Sequence, residues 1–497
     1  MKYAIGMDNG GTNSKAALID ETGCEIAVSK RTTPLIIPRP GYIERDMELL
    51  WELNCECIRE VIEKSGVNPV DIVGIAVAGH GKGLYAWGKD NKPAYNGIVS
   101  TDNRAWEYPM RWQQEDIFKS FYPRLCQRLL SGQQAAILAW LKDYEPTVYE
   151  NIQWIFSVKD YIRFRLTGEA FGELTDMSGS GVMDITRRQY DQNLLADLGI
   201  TEVHEKLPEL RYSHERCGNI TPDAAEKTGL LPGTSVMGGM FDIDACALAM
   251  DVTGPDSLFT ITGTWSINGY ISKEPVMDGG DEVVMNSLYA IPGYYLIEEC
   301  SPTGAGNLEW NLELLANQKT YQDVNEWVTS VPPEDSEVYY LPFLYGSNAH
   351  PLGKAAYVGL TSYHTRDHML RAVYESAAFT AKTHIDRLLA YHPSPKAIRI
   401  AGGVTSSPMW VQMFADILGY PVETVSGLQE LGAFGCAMAV FVAAGVYEDY
   451  LAAAKGMVHV SAPVQPDKTR VQIYEQKYQK YQAVRHALDE VWPVFEV

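Results

Sequence analysis

A chain of 497 residues is too long for one ordinary core, and its 46% hydrophobic and 21% charged composition excludes wholesale disorder. The net charge of −22 argues against a nucleic acid partner, whose phosphates are bound by clustered Lys and Arg. It leaves room for a nucleotide held by backbone N–H groups and a metal ion. The 8 cysteines include no CxxC pair, Cys55 and Cys57 being the close couple, so neither a disulfide framework nor a zinc site is expected. No signal peptide is read at the start, and the apolar run Cys436 to Gly445 is too short to span a bilayer, so a cytoplasmic protein without a membrane anchor is expected.

The apolar segment Tyr3 to Met7 breaks at Asp8-Asn9-Gly10-Gly11-Thr12, and a second, Ala16 to Ile19, turns at Glu21-Thr22-Gly23 before Ile26 and Val28. This pattern predicts three short antiparallel strands. Met47, Leu50, Leu53, Cys57, Val61 and Ile62 recur at helical spacing over residues 46 to 64. A strand follows at Ile72 to Val77 and ends at Gly79-His80-Gly81. In the second half, Ser257 to Ile261 is a strand that breaks at Gly263-Thr264 and resumes at Ile267 to Ile271. A long helix is predicted over Arg366 to Leu389, then a strand Ile398 to Ala401 ending in Gly402-Gly403. Strands alternating with helices predict an α/β protein, and the repeated Gly-turn between strands points to an old duplication. The boundary is placed near residue 246, giving domains 1–245 and 246–497 around a cleft.

The stretch Asp8 to Lys15 joins two strands and lacks GxxxxGK[ST] spacing, so it is not a P-loop. Its glycine pair still suits phosphate: Gly10 and Gly11 let backbone N–H groups approach closely, Thr12 adds a hydroxyl, and Asp8 can hold a hydrated Mg²⁺. A plain hairpin turn with an Asp cap fits the same residues equally well. His364 and His368 lack the Glu of HExxH and any third ligand, so a structural role is expected there.

Further segments carry a resemblance. Ala355-Ala356-Tyr357-Val358-Gly359-Leu360 with His368-Met369-Leu370-Arg371-Ala372-Val373-Tyr374-Glu375 resembles the second signature of the FGGY family of carbohydrate kinases. Lys159-Asp160-Tyr161 with Arg165-Leu166-Thr167-Gly168-Glu169, and Gly402-Gly403 through Ser407-Pro408-Met409-Trp410, are similar to further family segments in the same order. One departure is that Ile137 precedes Trp140 where the first signature expects lysine, which leaves Gln133 and Gln134 to shape the substrate wall.

The resemblance implies the actin-like ATPase (ribonuclease H-like) fold, with two related domains closing on ATP and a sugar. It implies Asp242 as catalytic base, with Asp244 a nearby rival, and Mg²⁺ held at Asp8 with Asp242. Gly10, Gly11, Thr12, Asn13 and Lys15 would meet the phosphates, joined by Gly263 and Thr264. Gly304, Gly306 and Asn307 would line the nucleotide channel, with Gly402, Gly403 and Ser406 near the adenosine. His80, Lys82, Asp102, Arg104 and Gln133 fall where the family contacts substrate hydroxyls; a loop-fixing ion pair is the competing reading for Asp102 and Arg104. The segments 78–85, 100–105 and 39–46 resemble those of L-xylulose kinases, so a ketopentose such as L-xylulose is the expected substrate. Four-carbon polyols such as erythritol, D-xylulose, glycerol and sugar acids are alternatives. A non-catalytic actin-like switch protein is the rival from another class. Dimers being the commonest homo-oligomers, a homodimer is the assembly to expect.

Overall fold

The structure, a computed structural model, describes residues 1–114, 117–263, 265–277, 284–316, 319–347 and 349–495. The chain divides into two compact units. The first comprises Met1–Thr253, Ile271–Ile297 and Gly427–His459; the second comprises Gly254–Tyr270, Glu298–Ser426 and Val460–Val497.

In the first unit, Tyr3–Asn9 pairs antiparallel with Asn13–Asp20, which pairs with Glu25–Thr32, as the breaks at Gly10-Gly11 and Thr22-Gly23 predict. On its other side Tyr3–Asn9 runs parallel to Ile72–Gly79, with Ser235–Met237 and Arg216–Asn219 continuing the sheet outward. Tyr3–Asn9 is apolar on both faces because both faces are covered. Helix Met47–Ser65 covers one of them: Asp46 caps its start by accepting from the Glu48 and Leu49 N–H groups, and Gly66 ends it in the left-handed region at φ 64°. Its buried Leu50, Trp51, Ile58 and Val61 pack into the core against Ile5, Met7 and Leu18, each burial contributing about 1.5–3 kcal/mol.

Helix Leu431–Ala443 lies directly against the strand backbone. A Cβ on Gly6 would sit 1.7 Å from the Ala433 carbonyl oxygen, and one on Gly435 would sit 2.1 Å from that of Ala245. The apolar run from Cys436 therefore belongs to a buried helix whose glycines permit this approach.

The second unit repeats the local plan. Ser257–Thr262 pairs antiparallel with Ser266–Ser272 and parallel with Ala397–Gly402, which pairs with Val422–Thr424. The long helix runs Arg366–Leu388, and His368 closes a capping box with Thr365. No helix among the described residues is long and apolar enough to cross a membrane.

Candidate active site

Parallel strands deliver their carboxyl ends to one edge of a sheet, the usual place for ligands in open α/β sheets. In the first unit Asp8 lies opposite Ala78, Asn9 opposite Gly79, and the short strand Met240–Phe241 pairs with Ala78 and Gly79. The Asp8 loop, the His80 loop and the start of helix Asp242–Ala249 thus emerge together. Asp242 opens that helix partly exposed, whereas Asp244 is buried and its Oδ1 accepts from the Ala290 N–H at 2.7 Å. Burial first, then the carboxylates of Asp8 and Asp242, hold the Cys246 thiol well above its ordinary pKa.

The phosphate-loop candidates form a rigid hairpin. Asn9 and Asn54 exchange paired amide hydrogen bonds at 2.9 Å, Ser14 donates to Asn9 at 2.7 Å, and Gly10 N donates to Asn13 O at 3.0 Å. Nothing lies within 4 Å of a Cβ built on Gly11, so its backbone faces open space beside Thr12. Asn13 donates to the Thr12 hydroxyl at 2.8 Å. Lys15 is engaged elsewhere: its Nζ pairs with Glu430 Oε2 at 2.6 Å. Burial alone would lower the Lys15 ammonium, but Asp8 and Glu430 outweigh it and hold it above its ordinary value.

Burial pushes Asp8 up to about 6 against the pull of Lys15, and Glu430 adds to the rise. Its Oδ1 is buried with no hydrogen-bond partner among the described residues. An orphaned, desolvated carboxylate oxygen fits a hard cation such as Mg²⁺. Gly432 leaves room for this carboxylate; a Cβ there would lie 2.8 Å from Asp8 Cγ.

His80 is buried, with Nε2 3.1 Å from the Tyr85 hydroxyl. Burial, reinforced by Arg45, lowers it to about 3, so the ring is neutral at pH 7. Lys82 follows at φ 67°, a left-handed conformation unusual for a residue with a side chain. Asp102 and Arg104 take the competing reading. Asp102 Oδ1 accepts from Arg104 N and Nε, and Oδ2 accepts from Ile43 N at 2.6 Å and Arg104 Nη2 at 2.9 Å. Four donors fill the carboxylate's acceptor sites, and Arg104 reaches on to Glu44 at 2.8 Å. Gln133 is likewise committed to its own loop, accepting from Leu130 N at 2.6 Å and donating to Gly179 O at 2.8 Å.

The second unit holds a cavity of about 310 Å³. Gly304, Asn307, Gly403 and Ser406 line it, together with Tyr321, Asn325, Tyr374 and Trp410. Asn307 Nδ2 is buried without a hydrogen-bond partner among the described residues, a donor suited to a polar ligand. Gly402 and Gly306 stand behind the wall: a Cβ on Gly402 would lie 2.3 Å from Thr262 O, and one on Gly306 2.8 Å from the Tyr345 ring. Gly263 closes the turn through its N–H to Trp265 O at 3.1 Å; Thr264 lies outside the described residues.

A strand hairpin with a Gly-Gly turn, a carboxylate opening a helix beside it and, in the second unit, a cavity of this size are features that phosphoryl transfer can use. Residues 3–249 match the N-terminal domain of the FGGY family of carbohydrate kinases, and residues 258–444 match its C-terminal domain. The chain belongs to the FGGY family of carbohydrate kinases.

It is 36% identical to the L-xylulose/3-keto-L-gulonate kinase of Escherichia coli (strain K12), over 98% of this chain and 97% of that one. It is 37% identical to a probable L-xylulose kinase of Pasteurella multocida (strain Pm70), over 98% of this chain and 99% of that one. Among solved structures it resembles a ligand-bound xylulose kinase from Lactobacillus acidophilus, with TM-score 0.91 and 24% identity over 100% of both chains. A Plasmodium falciparum glycerol kinase with ADP gives TM-score 0.84 at 17% identity over 98% of both. The fold is the actin-like ATPase fold of these kinases, and the protein is an ATP-dependent sugar kinase.

Several residues of this FGGY kinase's two sites carried no sequence signal of their role. Arg45 is buried, donates Nη2 to Gly11 O at 2.7 Å, and keeps Nε and Nη1 without partners among the described residues. A lone Arg beside an acidic pair reads as surface charge until the fold buries it. Glu430 precedes its helix by one residue and gave no cue that it meets Lys15. Tyr374 and Trp410, 4.3 Å apart between ring centroids, fall on helix faces that read simply as core. His364 and His368 accept from the N–H groups of Thr361 at 3.0 Å and Thr365 at 3.2 Å, which makes them turn and cap residues.

Proposed function

We propose that this kinase phosphorylates L-xylulose or a related ketopentose, with Asp242 as the base. The observation that carries the reading is the meeting of the Asp8 loop, the His80 loop and Asp242 at one sheet edge. In this scheme a sugar hydroxyl oxygen attacks the γ-phosphorus of ATP while Asp242 takes the hydroxyl proton. The new O–P bond forms as the bond to the β-phosphate bridge oxygen breaks, leaving ADP. Gly10, Gly11, Thr12 and Asn13 would hold the phosphates through backbone N–H groups and the Thr12 hydroxyl. Asp8, with Asp242 nearby, would hold Mg²⁺, which when bound supplies charge neutralisation. Neutral His80 and the flanking Lys82 would meet the sugar. Asp102 and Gln133 would act by shaping the loops around it, the Asp102 oxygens and the Gln133 amide being committed within the protein, as would Arg104, whose Nε and Nη2 are paired and whose Nη1 has no partner among the described residues. Residues 1–245 would bind sugar and 246–497 nucleotide, in a cytoplasmic enzyme assembled as a homodimer.

The relatives named as L-xylulose kinases support the substrate class. A sugar acid is the second reading, favoured by the cationic Arg45 and Lys82 beside this edge. A coupled ADP-release assay against ketopentoses, tetritols, glycerol and sugar acids tests both. Strong preference for a ketopentose, abolished in Asp242→Asn, is the expected outcome. Preference for a sugar acid transfers the assignment to the second reading, and silence across the panel overturns both. Light scattering coupled to size-exclusion chromatography reads the assembly; a monomeric mass overturns the dimer.

A further inference from the structure

The turn that carries Asp242 is anchored by a buried polar network. Gly238 and Gly239 let this turn approach neighbouring backbone: a Cβ on Gly238 would lie 2.4 Å from Tyr212 O, and Gly239, at φ 74°, would place one 2.0 Å from Val77 O. Its main-chain groups are then tied one by one. Arg163 Nη1 donates to Gly238 O at 2.6 Å, Gly238 N donates to Glu215 O at 2.9 Å, and Gly239 N donates to Ser213 O at 3.0 Å. Phe241 N donates to the Thr175 hydroxyl at 2.8 Å.

We infer that Thr175 is a positioning residue for Asp242, an inference that rests on Asp242 being the base. A backbone N–H can only donate, so Thr175 Oγ1 accepts from Phe241 and directs its own proton to Glu173 Oε2, 2.7 Å away. Glu173 is itself fully buried and fixed by four further groups. Its Oε1 accepts from Thr175 N at 3.0 Å and Ser213 Oγ at 2.8 Å, while Oε2 accepts from Asp176 N at 3.4 Å and lies 3.3 Å from Lys159 Nζ. The hydroxyl therefore has one orientation, and it points a single acceptor at the residue preceding the base. Phe241 is the N-cap of helix Asp242–Ala249, so the bond sets the first turn from which Asp242 projects. The Phe241 ring also packs on the sugar-facing loop, where a Cβ on Gly81 would meet it at 2.5 Å. A misplacement of Asp242 by a fraction of an ångström would then cost turnover without loosening either ligand.

Thr175→Val keeps the shape and removes both hydrogen bonds, whereas Thr175→Ser keeps them. The expected result is a kcat lowered about ten- to hundredfold in Thr175→Val, with KM for sugar and for ATP within about threefold of wild type. Thr175→Ser should return kcat to within about threefold. In an Asp242→Asn background Thr175→Val should add less than about twofold, because a base already removed has no position to lose. Wild-type kcat in Thr175→Val, an equal loss in Thr175→Ser, or a full multiplicative loss on top of Asp242→Asn overturns the inference. Wild-type turnover in Asp242→Asn overturns the base assignment and this inference together. If Thr175→Val is not recovered folded, Ser213→Ala, which strips a donor from the other Glu173 oxygen, takes its place. A three- to tenfold lower kcat at unchanged KM supports the positioning role there, and wild-type kcat overturns it.

Discussion

The candidate sites of the two units of this kinase differ in chemistry. At the sheet edge of the first unit, charges shielded from water sit close together: half-buried Asp8, Lys15 and Glu430 around the Gly-Gly loop, and fully buried Lys159, Asp160, Arg163 and Glu173 behind the Asp242 turn. The cavity of the second unit is lined by hydroxyls, amides and aromatic rings, with Glu309 its one charged liner among the described residues. The second unit does bury charges, but on another face. Arg371 and Glu375 pair at 2.7 Å one helical turn apart, with Lys477 2.6 Å from Glu375, while Val373, Ser376 and Ala377 of the same helix face the cavity. Charges buried in low dielectric hold each other in place and interact strongly with developing charge, which suits the chemistry of phosphoryl transfer. A cavity with a single charged liner would bind a nucleoside by area and a few donors and would tolerate small changes. Substitutions in the first unit should therefore act on kcat, and those in the second on nucleotide affinity.

The largest test of that contrast is Asp242→Asn. Turnover should fall at least about a thousandfold, as expected when the base and its charge go together, while ATP binding by calorimetry stays within about threefold. Turnover near wild type would move the base elsewhere and erase the contrast. Next comes Gly432→Ala, whose Cβ must displace the Asp8 carboxylate at 2.8 Å. A ten- to hundredfold lower kcat with near-normal ATP affinity is expected from steady-state kinetics. A pure affinity change would make Asp8 part of nucleotide binding alone.

In the second unit, Trp410→Leu removes a ring that lines the cavity and donates Nε1 to Tyr374 O at 3.1 Å. KM for ATP should rise about tenfold and kcat change less than about threefold, an aromatic contact being worth ~0.5–1.5 kcal/mol beyond its area. A kcat loss equal to that of Gly432→Ala would end the division of labour.

The smallest effect concerns His80 and stability. Its pKa is about 3 in the folded chain against an ordinary value of 6.5, so between these the unfolded chain binds the extra proton. Stability from this group is fully present above pH 6.5 and is lost as pH falls toward 3, by up to about 4 kcal/mol on the linkage relation. Denaturant titrations of wild type and His80→Asn from pH 7 to 4 should converge as pH falls. Parallel curves would show that His80 is not held neutral. For the same reason kcat should show no acidic limb from His80 between about pH 5 and 8.

Legibility followed the range of the interactions. The Asp8 hairpin was readable because an apolar run, a Gly pair and a second apolar run are contiguous, and strands of Ile, Ala, Leu and Met need no distant information. Asp242 was legible as a candidate base through the glycine pair before it and the family resemblance. Asp102 was harder, because the donor that completes its shell is the N–H of Ile43, 59 positions away. Lys15 reads as a phosphate ligand until Glu430 arrives from the far end of the chain. Tyr374 and Trp410 carry the same periodicity whether they line a cavity or fill a core.

By itself, then, the sequence determined the α/β architecture through local patterns of turn residues and apolar spacing, and the family and its kinase chemistry through the resemblance of contiguous segments. Tertiary structure alone decided which polar atoms remain available for a ligand. Asp8 Oδ1 and Asn307 Nδ2 keep that capacity, and the oxygens of Asp102 and the amide of Gln133 do not. The reason is physical: each donor or acceptor can be used only a limited number of times, and the partners that use it up come from residues distant in the chain.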